Sequence, residues 1–412
     1  MNSGAPHEIR CPIFGFIELS DWEKAVIDTP AFRRLRRIRQ LAWTDYVYPG
    51  AMHTRFEHSL GVMHMASLLF DGINKRSQNH LLRMGYKPTG IERHKQLIRF
   101  AALLHDVGHG PFSHAAEDLF PWREGNTARY KHEHYSAAIV RQYFVEAIDN
   151  HPSNLGIDLK AEDVARLLEN SPAAGNALFW RSLIDGPIDA DRMDYLLRDS
   201  YHAGVQYGRY DWQRLVNTVE LVPGEDAGSA MRVGVNEGGW HVAESLVLAR
   251  YAMFTQVYFH KTRIAYDHHF EQAMKKILPG ATFPPPKPES LDAYLDWDDW
   301  RVLGELAQGK GGEHGERIKS RNHYREIVHT PEAPTPDDEK RLAAWRIALG
   351  DKLAAEIPAI KSWYRPEGDA DILVQSSMAG GGVKRLSDNS SAIRALASNR
   401  KVSLYVKPED RK

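Results

Sequence analysis

The chain has 412 residues, 42% hydrophobic and 26% charged, enough for one large buried core or two domains and ordinary for a soluble protein. A formal net charge of -1 supplies no global basic field, which excludes a nucleic-acid coat or a charge-held membrane-surface protein and leaves anions to be bound locally. The single cysteine, Cys11, excludes an internal disulfide and a cysteine-built zinc site and reads as a small apolar residue.

Apolar runs fall short of the roughly 18 to 20 residues of a membrane span, and the first ten residues are too polar for a signal peptide, so a cytoplasmic protein without a membrane partner is expected. Ile13 to Ile17 reads as a strand. Asp28-Thr29-Pro30 starts a helix over Ala31 to Gln40, with the stripe Phe32, Leu35, Ile38 and arginines 33, 34, 36, 37 and 39 on its other faces. Those arginines are either a solvated face or a seat for a phosphate-bearing partner. A helix opening near Arg55 carries apolar residues at 60, 63, 66, 69, 70 and 73, with His58 in its first turn.

Residues 97 to 104 form a buried helical lead-in to His105-Asp-Val-Gly-His-Gly-Pro-Phe-Ser-His114, where glycines break the helix and allow a close approach. Tyr130 to Ser136 opens another helix, from which His132 or His134 can face back. After short helices and turns over 150 to 185, Gly186 to Asp199 runs from a turn into a helix whose inner face is Met193, Leu196 and Leu197. Asp191, in its first turn, can turn a carboxylate toward a metal. Residues 205 to 238 read as a small hairpin and Trp240 to Leu278 as one long helix carrying Arg250, Tyr258 and His260. Phe283 to Pro288 is the clearest linker. Beyond it lie amphipathic helices at about 290 to 310 and 337 to 362, a flexible loop at Ala379 to Gly382 and a strand at Lys401 to Val406. The expected architecture is mostly α: an all-helical core over 1–278 with a small β-hairpin, a Pro-rich linker over 279–289, and a C-terminal helical and β region over 290–412.

Two or three imidazoles with two carboxylates make a mixed N/O site that suits Fe, Mn, Zn or Ni better than Mg alone. Redox use of such an ion is one option. The extra histidines and nearby arginines favour hydrolysis of phosphate esters, because neutral imidazoles carry protons near pH 7 and guanidiniums steady oxyanions.

His58, the His105-Asp106 pair and Asp191 reproduce the H…HD…D signature of HD-domain phosphohydrolases. Arg55-Phe-Glu-His-Ser-Leu-Gly-Val62, His105 to His114, Lys131-His-Glu133 and Ile188-Asp-Ala-Asp-Arg-Met-Asp-Tyr195 more specifically resemble the deoxynucleoside triphosphate (dNTP) triphosphohydrolases of the sterile-alpha-motif-and-HD-domain type, with bacterial dGTPase-like relatives. The resemblance runs from about Cys11 to Leu278 and includes no sterile-alpha-motif segment. It implies that His58, His105, Asp106 and Asp191 hold a divalent metal, with Mg accompanying the triphosphate. His109, His114, His132 and Glu133 would bind phosphates or move protons, with His114 foremost. Gln40, Arg55, Arg192, Tyr195, Asp199, Arg250, Tyr258 and His260 would contact sugar and phosphates. The implied reaction converts dNTP and water to deoxynucleoside and inorganic triphosphate in a homo-oligomer, a dimer or tetramer.

Arg192 stands where such relatives carry lysine. At the family's regulatory nucleotide site, Asp28 and Arg36 are kept while Arg33 replaces a glutamine and His7 a lysine, so a changed activator is expected. Competing readings are an HD enzyme for another phosphate ester (a nucleoside monophosphate, a cyclic nucleotide or, less favoured, single-stranded nucleic acid), a binuclear centre using His109, His132 or His134, and a nucleotide sensor without turnover.

Overall fold

A computed structural model describes residues 7–125, 128–224, 229–361, 371–378 and 381–411. Its centre is the helix Arg55–Arg76, started by Thr54, whose side chain accepts from the backbone of Glu57 while Glu57 reaches back to the Thr54 N–H. Leu60, Met63, Ala66, Leu69, Phe70 and Ile73 are all buried, as their spacing predicts. This helix packs against Ile91–Leu104 and Ala190–Ala203. Gly61 makes the second contact possible: a β-carbon there would run into the Asp194 carboxylate and the Arg198 guanidinium.

The fold is mostly helical with small sheets, as the sequence predicts, but five elements differ in form, among them the helix expected at about 290 to 310, which is two, Leu291–Leu295 and Asp299–Ala307. First, His7–Cys11 pairs antiparallel with Gly15–Leu19, so the expected single strand is a hairpin turned at Gly15 (φ +81°). Second, the expected helix over 31 to 40 is one turn, Pro30–Arg33, followed by a 3₁₀ turn, Arg34–Arg37. Its arginines divide: Arg33 and Arg36 stay exposed, Arg33 paired with Asp28, while the others are engaged within the fold. Arg34 is buried, Arg36 lies over the Phe56 ring, and Arg37 and Arg39 pair with Asp298 and Asp45. Third, the long helix from Trp240 is interrupted by a π turn, Phe254–Tyr258, before Lys261–Ile277 resumes. The wider turn leaves Tyr258 buried, its hydroxyl on Asp199. Fourth, the helix expected to reach 362 stops at Leu349. Gly350, with φ +47°, ends Pro336–Leu349, and Leu353–Lys361 is a strand.

Asn399–Val406, close to the expected strand, is the middle of an antiparallel sheet between Arg325–His329 and Leu353–Lys361. The hairpin Val219–Val222 with Arg232–Asn236 is widened by Leu373–Gln375, parallel to its second strand, and then Val383–Arg385. The expected loop at 379 to 382 includes Ala379 and Gly380, which lie outside the described residues.

The Pro-rich stretch does not act as a spacer. Phe283 is buried, Tyr135 Oη donates to the Pro284 carbonyl at 2.8 Å, and one hydrophobic core runs from Cys11 through Tyr294 and Trp297 to Ile393. The prolines here lie against the core, Pro284 to Pro286 half-buried beside Phe283. Among the described residues, no helix is long and apolar enough to cross a membrane.

Candidate active site

Four side chains converge where three helices meet. His58 enters from the first turn of Arg55–Arg76, and its Nδ1 donates to Asp194 at 2.8 Å. Asp194 is itself gripped by Arg198 at 2.7 and 2.8 Å, which fixes the ring with Nε2 facing inward. His105 follows the last turn of Ile91–Leu104 and donates from Nδ1 to the Ala102 carbonyl at 2.7 Å, so its Nε2 faces inward too. Asp106 oxygens lie 3.3 Å from each of these nitrogens. Asp191 Oδ1 lies 3.0 Å from His58 Nε2 and 3.6 Å from His105 Nε2. Asp191 is aimed by Asp189, which caps its helix by accepting the Arg192 N–H at 2.7 Å.

Neither inward Nε2 makes a well-formed hydrogen bond, although both are buried and carboxylates crowd them. Buried nitrogen lone pairs facing acceptor oxygens are costly unless a cation sits among them. His58, His105 and Asp106 bring donor atoms within 4.8 Å of one another, and with Asp191 beside both imidazoles this mixed N/O set fits a divalent transition metal. Arg55 pairs with Asp106, and burial, which favours its neutral form, is outweighed by Arg55, His105 and His109, so Asp106 sits well below the usual carboxylate range. Asp191 is held low as well, burial being outweighed by His105 and His58.

A second cluster faces the first. Glu117 accepts from His132 Nδ1 at 2.7 Å and from His114 Nδ1 at 3.0 Å. Burial opposes charge on His132, but the bond to Glu117 and its negative charge push that imidazole up to about 9. His109 stacks on His132 with ring centroids 3.9 Å apart, and burial together with Arg55 and His132 holds it well below its usual value. At neutral pH the stack thus pairs a cationic ring with a neutral one. His114 is the open member, its side chain 61% exposed. Glu133 lines the same cavity. His134 does not join it; its Nδ1 accepts the Lys131 N–H at 3.1 Å and caps its own helix.

Two adjoining cavities of about 210 and 260 Å³ share Gln40, Arg55, His114, Asp191, Arg192 and Tyr195. The first reaches His105, Asp106, His109 and His132; the second reaches Asp199, Arg250, Tyr258 and Arg263. Asp199 is fixed by Tyr258 Oη at 2.6 Å and His53 Nε2 at 2.7 Å. Among the expected substrate contacts only His260 stands apart: it lines neither cavity and accepts the Thr262 N–H at 3.2 Å as a helix cap. Asp28 and Arg33 pair with each other at 2.8 Å on the surface, Arg36 covers Phe56, and His7 bonds Asp21 at 2.7 Å, all away from these cavities. Glu117, Asp194 and His53 are not singled out by the sequence, and Arg34 is read there as one of the outward arginines. Glu117 and Asp194 each lie three residues after a predicted site residue, the spacing of one helical turn.

Residues 55–199 match the HD domain, and residues 210–364 match the HD-associated region. The chain is 35% identical over 277 residues to the uncharacterized protein YwfO of Bacillus subtilis, covering 65% of this chain and 54% of that one. It is 32% identical over 258 residues to the deoxynucleoside triphosphate triphosphohydrolase SAMHD1 homolog of Dictyostelium discoideum, covering 60% of this chain and 45% of the relative. The chain thus spans about half the length of these curated relatives. A crystal structure of a hypothetical protein from Aquifex aeolicus superposes with a TM-score of 0.79 at 28% identity, over 99% of both chains.

Proposed function

Because the chain belongs to the HD-domain family, with an HD-associated region behind its HD domain, we propose that it is a metal-dependent phosphohydrolase that cleaves dNTPs to deoxynucleoside and inorganic triphosphate. The observation that carries this reading is the pairing, across one cavity, of the His58/His105/Asp106/Asp191 donor set with the His109/His114/Glu117/His132 cluster. The first set suits a divalent cation, and the second, whose donor atoms also lie close enough together to hold one, serves anionic oxygen and proton transfer in this reading. The triphosphohydrolase name of the Dictyostelium relative supports the substrate.

His58, His105, Asp106 and Asp191 would hold Fe, Mn, Zn or Ni, and such an ion acidifies bound water and neutralises phosphoryl charge. Arg55 and Arg192, on the wall shared by both cavities, grip phosphate oxygens as planar forks. The cationic His132 adds positive charge beside neutral His109. His114, steadied through Nδ1 by Glu117, hands a proton to the departing sugar oxygen, and Glu117 offsets the charge that the imidazole carries before transfer. Tyr195, in the wall toward Asp199 and Tyr258, lies flat against the deoxyribose and leaves no room for a 2'-hydroxyl. The working unit is a homo-oligomer, and Asp28, Arg33 and Arg36 form its outlying nucleotide contact.

The test is chromatographic product analysis after incubating the metal-loaded protein with each dNTP, singly and mixed. Deoxynucleoside and triphosphate from single dNTPs are expected. Turnover only in mixtures would assign an activator to the Asp28 and Arg36 region. No deoxynucleoside in either format would overturn the dNTP reading and turn the search to mono-, cyclic and oligonucleotides.

A further inference from the structure

The turn that follows the His-Asp pair is buried and irregular, so its backbone groups must find partners beyond the regular helices. Four of them find one outside the turn's own helices, the Gly108 N–H by donating to Ser136 Oγ at 2.9 Å. The Gly108 carbonyl accepts from Tyr294 Oη at 2.7 Å. The His109 carbonyl accepts from Arg34 Nη1 at 2.8 Å, and the same guanidinium donates to the Trp297 carbonyl from Nη2 at 2.6 Å and Nε at 3.1 Å. The Phe112 N–H donates to Asp299 Oδ1 at 2.7 Å, while Asp299 Oδ2 takes the Arg39 N–H at 2.9 Å. Arg34, Tyr294 and Asp299 are all buried.

The turn requires such a hold. Phe112 and Ser113 both take left-handed backbone, at φ 56° and 58°, which side chains with a β-carbon adopt only where surroundings enforce it. Two such residues in succession reverse the chain. Ser113 Oγ then meets Arg55 Nε at 2.9 Å, and the His114 ring stands 4.9 Å from that of His109. Asp299 is the group that fixes the first of the two.

We infer that Asp299, with Tyr294 and the Arg34–Trp297 contact, is a positioning residue for His109 and His114. The HD-associated region therefore sets the geometry of the second histidine cluster in addition to completing the core. The kinetic consequence rests on the phosphohydrolase reading; the placement of the rings does not.

Two variants of the full chain test it. Asp299→Asn keeps the volume but turns an N–H toward a backbone N–H, and Tyr294→Phe removes one hydroxyl from a ring that stays packed. Each should lower kcat by about 10- to 100-fold per folded, metal-loaded molecule, with KM and bound metal unchanged. In NMR spectra of ring-labelled histidine, His109 and His114 signals should move, whereas Trp300→Ala, at an exposed neighbour on the same helix, should leave them in place. A merely structural role would reduce the folded fraction without changing kcat per folded molecule. Unmoved ring signals in both variants overturn the inference, as does unchanged kcat in an enzyme that turns over. If the wild-type protein releases no deoxynucleoside, the proposed substrate fails and the ring signals still decide the role of Asp299.

Discussion

The molecule has two histidine-rich places, and they differ in what the imidazoles face. Around His58, His105, His109 and His132 each ring approaches a carboxylate, and all but the fully buried His58 line an open cavity. Around His269 and His314 the rings face each other: Nδ1 meets Nδ1 at 2.8 Å, and His269 Nε2 accepts the Tyr324 N–H at 3.0 Å. Burial, with His314, His268 and Arg317 nearby, pushes His269 down to about 2, whereas His132 beside Glu117 is pushed up to about 9. The first arrangement can store charge and move protons. The second is a neutral joint between the helices Lys261–Ile277 and Gly312–Lys319. Histidine density alone therefore says little; the carboxylate partner separates a reactive imidazole from a structural one.

The contrast can be broken most severely at Asp106. Asp106→Ala should lower turnover by at least about 10³-fold, since both the cation and its water activation are lost, and elemental analysis should find bound metal per chain near zero with the helical circular dichroism intact. Retained metal would remove Asp106 from the donor set. Glu117→Gln comes next. It leaves the metal bound but takes the counter-charge from two imidazoles, and kcat should fall by about 10²-fold, a result that steady-state kinetics at saturating substrate would contradict if the rate held.

The pH profile sharpens the comparison further. The folded value of His132 lies above its ordinary 6.5, so its charge is fully present below about 6.5 and disappears as pH rises through about 9. kcat/KM should decline on the alkaline side near pH 9, and in Glu117→Gln that limb should move toward neutral pH. An alkaline limb at the same pH in both proteins would detach it from this pair. At the structural joint the effect is smallest. His314→Ala leaves His269 Nδ1 without its partner and should cost about 1–3 kcal/mol in urea denaturation, while kcat and metal content stay at wild-type values.

The convergence of His58, His105, Asp106 and Asp191 is legible in the chain because these donors are local. His105 and Asp106 are adjacent at a helix end, and His58 and Asp191 fall in first turns, where a few residues of pattern fix direction. The arginines of 33 to 39 were not legible for the opposite reason. Local periodicity reports which side is apolar, but Arg34 turns inward to acceptors on His109 and Trp297, the second 263 residues away. Glu117 carries no sequence signal of its own, since its partner His132 lies 15 residues on. The Pro-rich stretch carries the composition of a spacer, and only its buried neighbours, Phe283 among them, show that it is packed. His260 lies apart from both cavities because the π turn at Phe254–Tyr258 interrupts the expected continuous helix and leaves His260 as the cap of the next one.

The order of strands in the sheet built on Asn399–Val406 has a consequence for assembly during synthesis. Both neighbours, Arg325–His329 and Leu353–Lys361, precede it in the chain, and neither pairs with the other. As the polypeptide emerges, each exposes an unpaired edge until the strand between them has been made, and open edges are where chains join wrongly. Leu353–Lys361 carries Pro358, which has no N–H to offer a stranger, and a register shift between Leu353 and Ala355 that bends the strand. The sheet is thus completed by its middle strand, the last of the three in the chain, and a proline and a bulge sit on a strand that precedes it.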